Sequence, residues 1–117
     1  MVLLGLAVFG ALIGYAIYQN YAPSVYDDFA QCLTEQGAQM YGASWCPHCL
    51  DQKELFGSAF RHIDYIECSS SGQSGTLDLC PEITSVPQWF GAEVALPGGQ
   101  SLEALGEAFG CELPEIE

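Results

Sequence analysis

The stretch Trp45-Cys46-Pro47-His48-Cys49 concentrates the reactive chemistry of this chain. Its two cysteines are separated by two residues, after an apolar run and before a segment of helical character. A first sulfur at such a junction lies at a helix N-terminus, where unpaired backbone N–H groups and the positive end of the helix dipole favour its thiolate. The thiolate is the form that attacks a disulfide. A second cysteine nearly one helical turn on is close enough to form a disulfide and to resolve a mixed intermediate. The spacing therefore points to thiol–disulfide exchange, with Cys46 as the exposed nucleophile and Cys49 as the buried resolving thiol. His48 sits between them; protonated or suitably oriented, it stabilises the Cys46 thiolate and makes the disulfide easier to reduce. An ordinary exposed histidine is the plainer alternative. Trp45 either shields the site and contacts substrate or simply packs. His62 has no such company and reads as a surface residue.

Zinc is the chief rival use of the cysteines, since Cys46, Cys49, Cys68 and Cys80 could supply four thiolates. Only one Cys-X-X-Cys is present, however, and a proline at the first helical position beside a tryptophan suits redox chemistry better. No metal is expected, and no cofactor beyond a redox-active disulfide. The chain has 117 residues and six cysteines, an even number behind an apolar segment. That combination points to an oxidising, non-cytoplasmic compartment.

The elements that must position these residues follow from the local pattern. Ser24 can cap a first helix with Asp27 at its third position, and Val25, Phe29 and Leu33 fall on one face with Cys32 beside them. Gly37 offers a left-handed stop. Residues 38–43 read as a buried strand. Pro47 suits the first turn of a helix running to about Phe60, with Leu50, Leu55, Phe56 and Phe60 available for packing. Residues 63–68 alternate apolar and polar as a half-buried strand does. Ser69 to Gly75 is a loop, and Thr76 to Cys80 is read as one helical turn ended by Pro81. Residues 86–90 and 93–96 read as two strands, with Pro87 on its own residues an edge-strand or turn proline. Ser101 caps a last helix carrying Leu102, Leu105 and Phe109, with Gly110 as its stop. The resulting order of helices and strands is an α/β fold with a small mixed sheet.

Residues 1–21 stand apart as a transmembrane anchor before a domain at 22–117. Val2 to Tyr18 has no charge and no proline, reaching the lower end of the roughly 17–25 residues that span a bilayer. The tyrosines at 15, 18 and 21 suit a lipid–water interface. A signal peptide lacks its basic start and cleavage pattern here, and a buried core helix is the remaining alternative. Fifteen acidic residues against two basic ones leave a formal charge of −13. Phosphate contacts need clustered Lys and Arg, so nucleic acid is excluded as a partner.

The element order, with Cys-X-X-Cys after the first strand and Val86-Pro87 before the third, resembles the thioredoxin fold over residues 24–111. In that family the proline is cis and lies against the active-site disulfide. The resemblance therefore implies a cis Pro87, with the backbone of Val86 receiving an extended substrate segment. Residues 41–49, followed by Gln52-Lys53-Glu54-Leu55-Phe56-Gly57, resemble more narrowly the thioredoxin-like domain fused to, or partnered with, bacterial and plant vitamin K epoxide reductase homologues. That likeness implies a domain following a transmembrane helix and facing the periplasm, the thylakoid lumen or the cell exterior. It would take electrons from reduced secreted or lumenal proteins and pass them to the membrane enzyme, which delivers them to a quinone. The Pro-His pair is similar to that of DsbA-like oxidants and favours disulfide formation; a disulfide reductase, as in cytochrome c maturation, and a redox-inactive docking domain are the alternatives. The chain is then either a free-standing anchored partner or a fragment of the fusion.

The positions of Cys32, Cys68, Cys80 and Cys111 are similar to those of the same branch. Four cysteines allow three pairings. The resemblance favours Cys68–Cys80 and Cys32–Cys111 as structural disulfides, with an electron relay through one pair as the alternative. General thioredoxins carry a buried carboxylate six positions before the first motif cysteine, where this chain has Met40. Proton transfer at the resolving thiol must then use water or another group.

Overall fold

The structure, a computed structural model, describes residues 2–115. Met1 and residues 116–117, the outer ends of the two expected segments, lie outside the described residues, as does the side chain of Tyr21. The chain runs through α1 (Val2–Tyr21), α2 (Asp27–Glu35), β1 (Gln39–Gly42), α3 (Pro47–Phe56), a 3-10 helix (Gly57–His62), β2 (Asp64–Glu67), β3 (Gln88–Phe90), β4 (Ala95–Pro97) and α4 (Leu102–Phe109). The strands form one sheet in the order β2-β1-β3-β4. β1 and β2 are parallel and need a crossover, supplied by α3 and the 3-10 helix, whereas β3 returns antiparallel to β1 and β4 to β3. The whole is a mixed α/β structure with a small mixed sheet flanked by helices.

Register decides which side chains meet. Met40 pairs with Tyr65 on one side and Trp89 on the other, and Gly42 pairs with Glu67. Partners in register share a face, so Met40, Tyr65, Glu67 and Trp89 emerge together. That face holds the core: Met40 and Trp89 are fully buried, as are Leu33 of α2 and Leu105 of α4, and Phe56 of α3 lies between Phe29 and Trp89. Tyr41 and Phe90 pack edge-on on the opposite face and remain half-buried.

Several local expectations change. The first domain helix begins at Asp27, because Ser24 uses its hydroxyl to accept from Tyr26 N and its own N–H to donate to Asp27 Oδ2 (3.0 Å). Those two residues tie a turn that precedes the helix, and Val25 points to solvent. α3 ends at Phe56, since Gly57 takes φ 59° and diverts the chain into the 3-10 helix. Its buried positions are Cys49, Gln52 and Phe56, which leaves Leu50 and Leu55 on the outer side. Thr76 to Cys80 forms turns without a helix. β3 starts only at Gln88, and β4 lies slightly later than expected. α4 carries its cap as Ser101 Oγ accepting from Ala104 N.

His62 is half-buried and not a plain surface residue. The 3-10 helix turns it back onto α2, where its Nε2 stands 3.4 Å from Asp27 Oδ1 while Arg61 Nη2 lies 3.0 Å from Asp27 Oδ2. The carboxyl of Asp27 is held below its ordinary value of 3.8, first by the Ser24 N–H and further by Arg61. α1 displays Leu3, Leu4, Leu6, Phe9 and Leu12 outward, and Ser58 Oγ donates to Ala22 O just beyond it. Among the described residues, no helix is long and apolar enough to cross a membrane.

Two disulfides brace the small core. Cys32–Cys111 joins α2 to the segment after α4 across 79 residues of sequence, and Cys68–Cys80 closes a loop across 12. Loop-closure entropy assigns about 4–5 kcal/mol to the first and about 3 kcal/mol to the second. Replacing both cysteines of the long-range pair by serine should therefore lower urea-unfolding stability by up to about 4–5 kcal/mol, more than the same change at Cys68 and Cys80.

Asp27→Asn gives a separate, pH-dependent result. A carboxyl whose pKa is depressed by folding adds stability above its unfolded pKa, and loses it as pH falls through the folded value. The variant should cost about 1 kcal/mol at pH 7 and show little difference from the unsubstituted chain near pH 2, measured by thermal unfolding.

Candidate functional site

Cys46 occupies the N-cap of α3 with extended backbone (φ −88°, ψ 115°), and Pro47 follows at the first helical position, where its missing N–H costs nothing. An N-cap side chain ordinarily accepts from the N–H groups of the first turn. Here the acceptor is sulfur: Cys49 N donates to Cys46 Sγ at 3.2 Å. A donor already aimed at that sulfur is the contact that holds negative charge there. Both thiols are free.

Cys49 is fully buried, and Cys46 is only 3% exposed. The expected open nucleophile is thus nearly covered. The carbonyl of Val86 stands 3.7 Å from Cys46 Sγ, and half-buried Trp45 is pinned nearby by Nε1 donating to Thr76 O (2.8 Å). The Val86–Pro87 bond is cis, Pro87 is buried, and its carbonyl accepts from Gly98 N. The structure thus brings Cys46, Cys49, Val86 and Pro87 together. His48 turns outward instead, 82% exposed, with Nδ1 4.0 Å from Asp51 Oδ2 in an exposed contact of little energetic weight. Beside it runs a groove of about 380 Å³ lined by His48, Asp51, Gln52, Leu55, Gly99 and Gln100.

Burial pushes the Cys49 thiol up to about 12, reinforced by its hydrogen bond with Cys46. A second thiol held protonated beneath a first whose sulfur receives an N–H is the asymmetry that exchange needs: one sulfur meets the substrate and the other waits. The set of four thiolates considered for zinc is not assembled, because Cys68 and Cys80 are bonded to each other.

No family model matches the chain. It is similar to the thiol-disulfide oxidoreductase LTO1 of Arabidopsis thaliana, at 40% identity over 92 residues, covering 74% of this chain and 24% of that protein. The chain thus spans about a quarter of the length of this relative. The likeness supports a thioredoxin-like redox domain and, in general terms, oxidoreductase chemistry.

Sequence reasoning missed the polar residues behind the thiols. Gln52 is buried and its amide clamps three elements: Oε1 accepts from Trp89 Nε1 (3.1 Å) and Gln100 N (2.7 Å), while Nε2 donates to Gln100 O (2.9 Å). Its position three residues after Cys49, on the same helix face, was the available signal. Tyr65 and Glu67 alternate with Ile66 on β2, which places both on the α3 side of the sheet. Gln52→Ala leaves a buried indole N–H and a backbone N–H without acceptors. It should cost about 2–4 kcal/mol in chemical denaturation, while the buried-area change alone would cost less.

Proposed function

We propose that this chain is a membrane-anchored thiol–disulfide oxidoreductase that promotes disulfide formation in exported proteins. The free Cys46–Cys49 pair at the start of α3, with Cys49 N aimed at Cys46 Sγ and the Val86 carbonyl beside it, carries this reading. Starting from the Cys46–Cys49 disulfide, a substrate thiolate attacks the Cys46 sulfur. Cys49 leaves with the bond's electron pair and takes a proton. A second substrate thiolate then attacks its partner sulfur in the mixed disulfide, forming the substrate disulfide and releasing Cys46. Two electrons now rest on the cysteine pair. Val86, whose neighbouring Pro87 has no N–H to donate, is the backbone against which an extended substrate segment lies, and Trp45 borders it. His48, exposed at the same helix end, tunes the thiolate from the solvent side.

The pair is reoxidised by a vitamin K epoxide reductase-like membrane protein, which hands the electrons to a quinone held by that partner. The domain itself, residues 22–117, uses no cofactor, and residues 1–21 anchor it with the site facing the periplasm, thylakoid lumen or cell exterior. The uncharged outward surface of α1 supports the anchor.

The reduction potential of Cys46–Cys49 tests the direction of flow. A value near about −120 mV fits an oxidant, whereas one near about −270 mV would make the chain a reductant. Cys46→Ser should abolish thiol oxidation, and Cys49→Ala should accumulate mixed disulfides with exported proteins; turnover retained by the Cys46 variant would sink the assignment.

A further inference from the structure

Cys49 must lose a proton to attack and gain one when it leaves, yet it is fully buried and no carboxylate lies behind it in β1. Of the β1 residues on the face toward α3, Met40 is apolar and fully buried and Gly42 has no side chain. β2 supplies what β1 lacks. Tyr65 lies opposite Met40 and Glu67 opposite Gly42, so both face α3. A Cβ placed on Gly42 would stand 3.1 Å from Tyr65 Oη and 3.2 Å from Cys49 Sγ. The hydroxyl and the sulfur therefore flank one point with no side chain between them. They can be no farther apart than those two lengths end to end, a gap that a single water spans.

The path continues outward. Tyr65 Oη donates to Glu67 Oε1 at 3.0 Å, and the other oxygen of Glu67 accepts from Ser44 N (3.0 Å) and Ser69 N (3.1 Å). Those two amides fix a half-exposed carboxylate at the rim, in touch with solvent. Lys53 Nζ stands 4.0 Å from the centre of the Tyr65 ring. The charged and titratable groups facing Cys49 are Cys46 and Lys53 from α3 and Tyr65 and Glu67 from β2, while β1 contributes only Met40 and Gly42.

We infer that Tyr65 and Glu67 are the proton path of Cys49. When Cys49 resolves a mixed disulfide, its S–H bond breaks and the proton passes to Tyr65 Oη, through one bridging water at most. The hydroxyl proton of Tyr65 moves to Glu67 Oε1, and Glu67 releases it to solvent. The sulfur's electron pair forms the bond to Cys46, and the substrate sulfur leaves as thiolate. In the oxidising direction the same path delivers a proton to the departing Cys49. Tyr65 exchanges the proton with Cys49 directly or through that one water, and Glu67 acts through Tyr65. The inference rests on the Cys46–Cys49 exchange proposed above.

The test uses the full chain in detergent, with Cys46 and Cys49 reduced and the other two disulfides intact, mixed with excess dithiobis(nitrobenzoate). Attack by Cys46 releases one coloured thiolate, and attack by Cys49 on the resulting adduct releases a second, so the two steps are read separately. Tyr65→Phe keeps the ring and removes only the hydroxyl; Glu67→Gln keeps the shape and removes the charge. Each should slow the second release on the order of 10²-fold near neutral pH, the low end for a positioned acid–base group, and leave the first within about twofold. The deficit should close as pH rises, because hydroxide then deprotonates Cys49 directly, and the double variant should be no slower than the slower single one. An unchanged pH profile of the second step in both variants would overturn the path. Equal slowing of both steps at every pH would also overturn it, marking a packing change. A wild-type chain with no second release would overturn the exchange reading itself, and the path with it.

Discussion

How closely the first turn of α3 lies on the sheet at Gly42 governs the rest of the site. A side chain there would collide with the Tyr65 ring at 2.8 Å and press on Cys49 Sγ at 3.2 Å. Without it, helix and strand close directly over the second thiol. Cys49 is then sealed from water, which disfavours its charged form, while Cys46 stays at the helix mouth under the Val86 carbonyl. The asymmetry between two chemically identical side chains is thus a packing result. It requires no residue that distinguishes them by charge.

A sheet of strands only three or four residues long offers little area to hold such a contact. Three devices supplement it. Phe56 brings the aromatic core of α2, α3 and β3 together beneath the sheet face. Gln52 ties α3 to Trp89 and to the loop before α4 through three hydrogen bonds of its side-chain amide. The two disulfides limit the freedom of the unfolded chain, one across most of the domain and one around the Ser/Gly loop.

The charge distribution follows the same economy. The formal charge is −13 with only two Lys and Arg side chains, and both make contacts within the chain. Arg61 neutralises Asp27 at the junction of α2 and the 3-10 helix, and Lys53 lies over the Tyr65 ring next to the buried thiol. The remaining surface is acidic, which suits solubility and repels polyanions. Around Cys46 the structure places the Val86 carbonyl and the half-buried Trp45 ring and, among the described residues, no Lys or Arg contact.

The sequence by itself determined the features that a few neighbouring residues control. Cys46-Pro47 marks a helix start, residues 63–68 alternate as a strand, and Ser101 with Gly110 brackets α4; each rests on capping, period or dihedral preference within one turn. Where a helix face points was only partly legible: Leu50, Leu55 and Phe56 are the apolar choices in α3, yet Phe56 is buried beside Gln52 while both leucines stay outside. Only the tertiary structure decided that Ser24 and Asp27 tie a turn before α2, and that His62 folds back onto Asp27. It alone covers Cys46 with a carbonyl 40 positions away, and sets Tyr65 and Glu67 behind Cys49. Those outcomes depend on which segments meet across the sheet. Strand register and helix docking are set by burial of the whole core, a sum over distant residues that no local window contains.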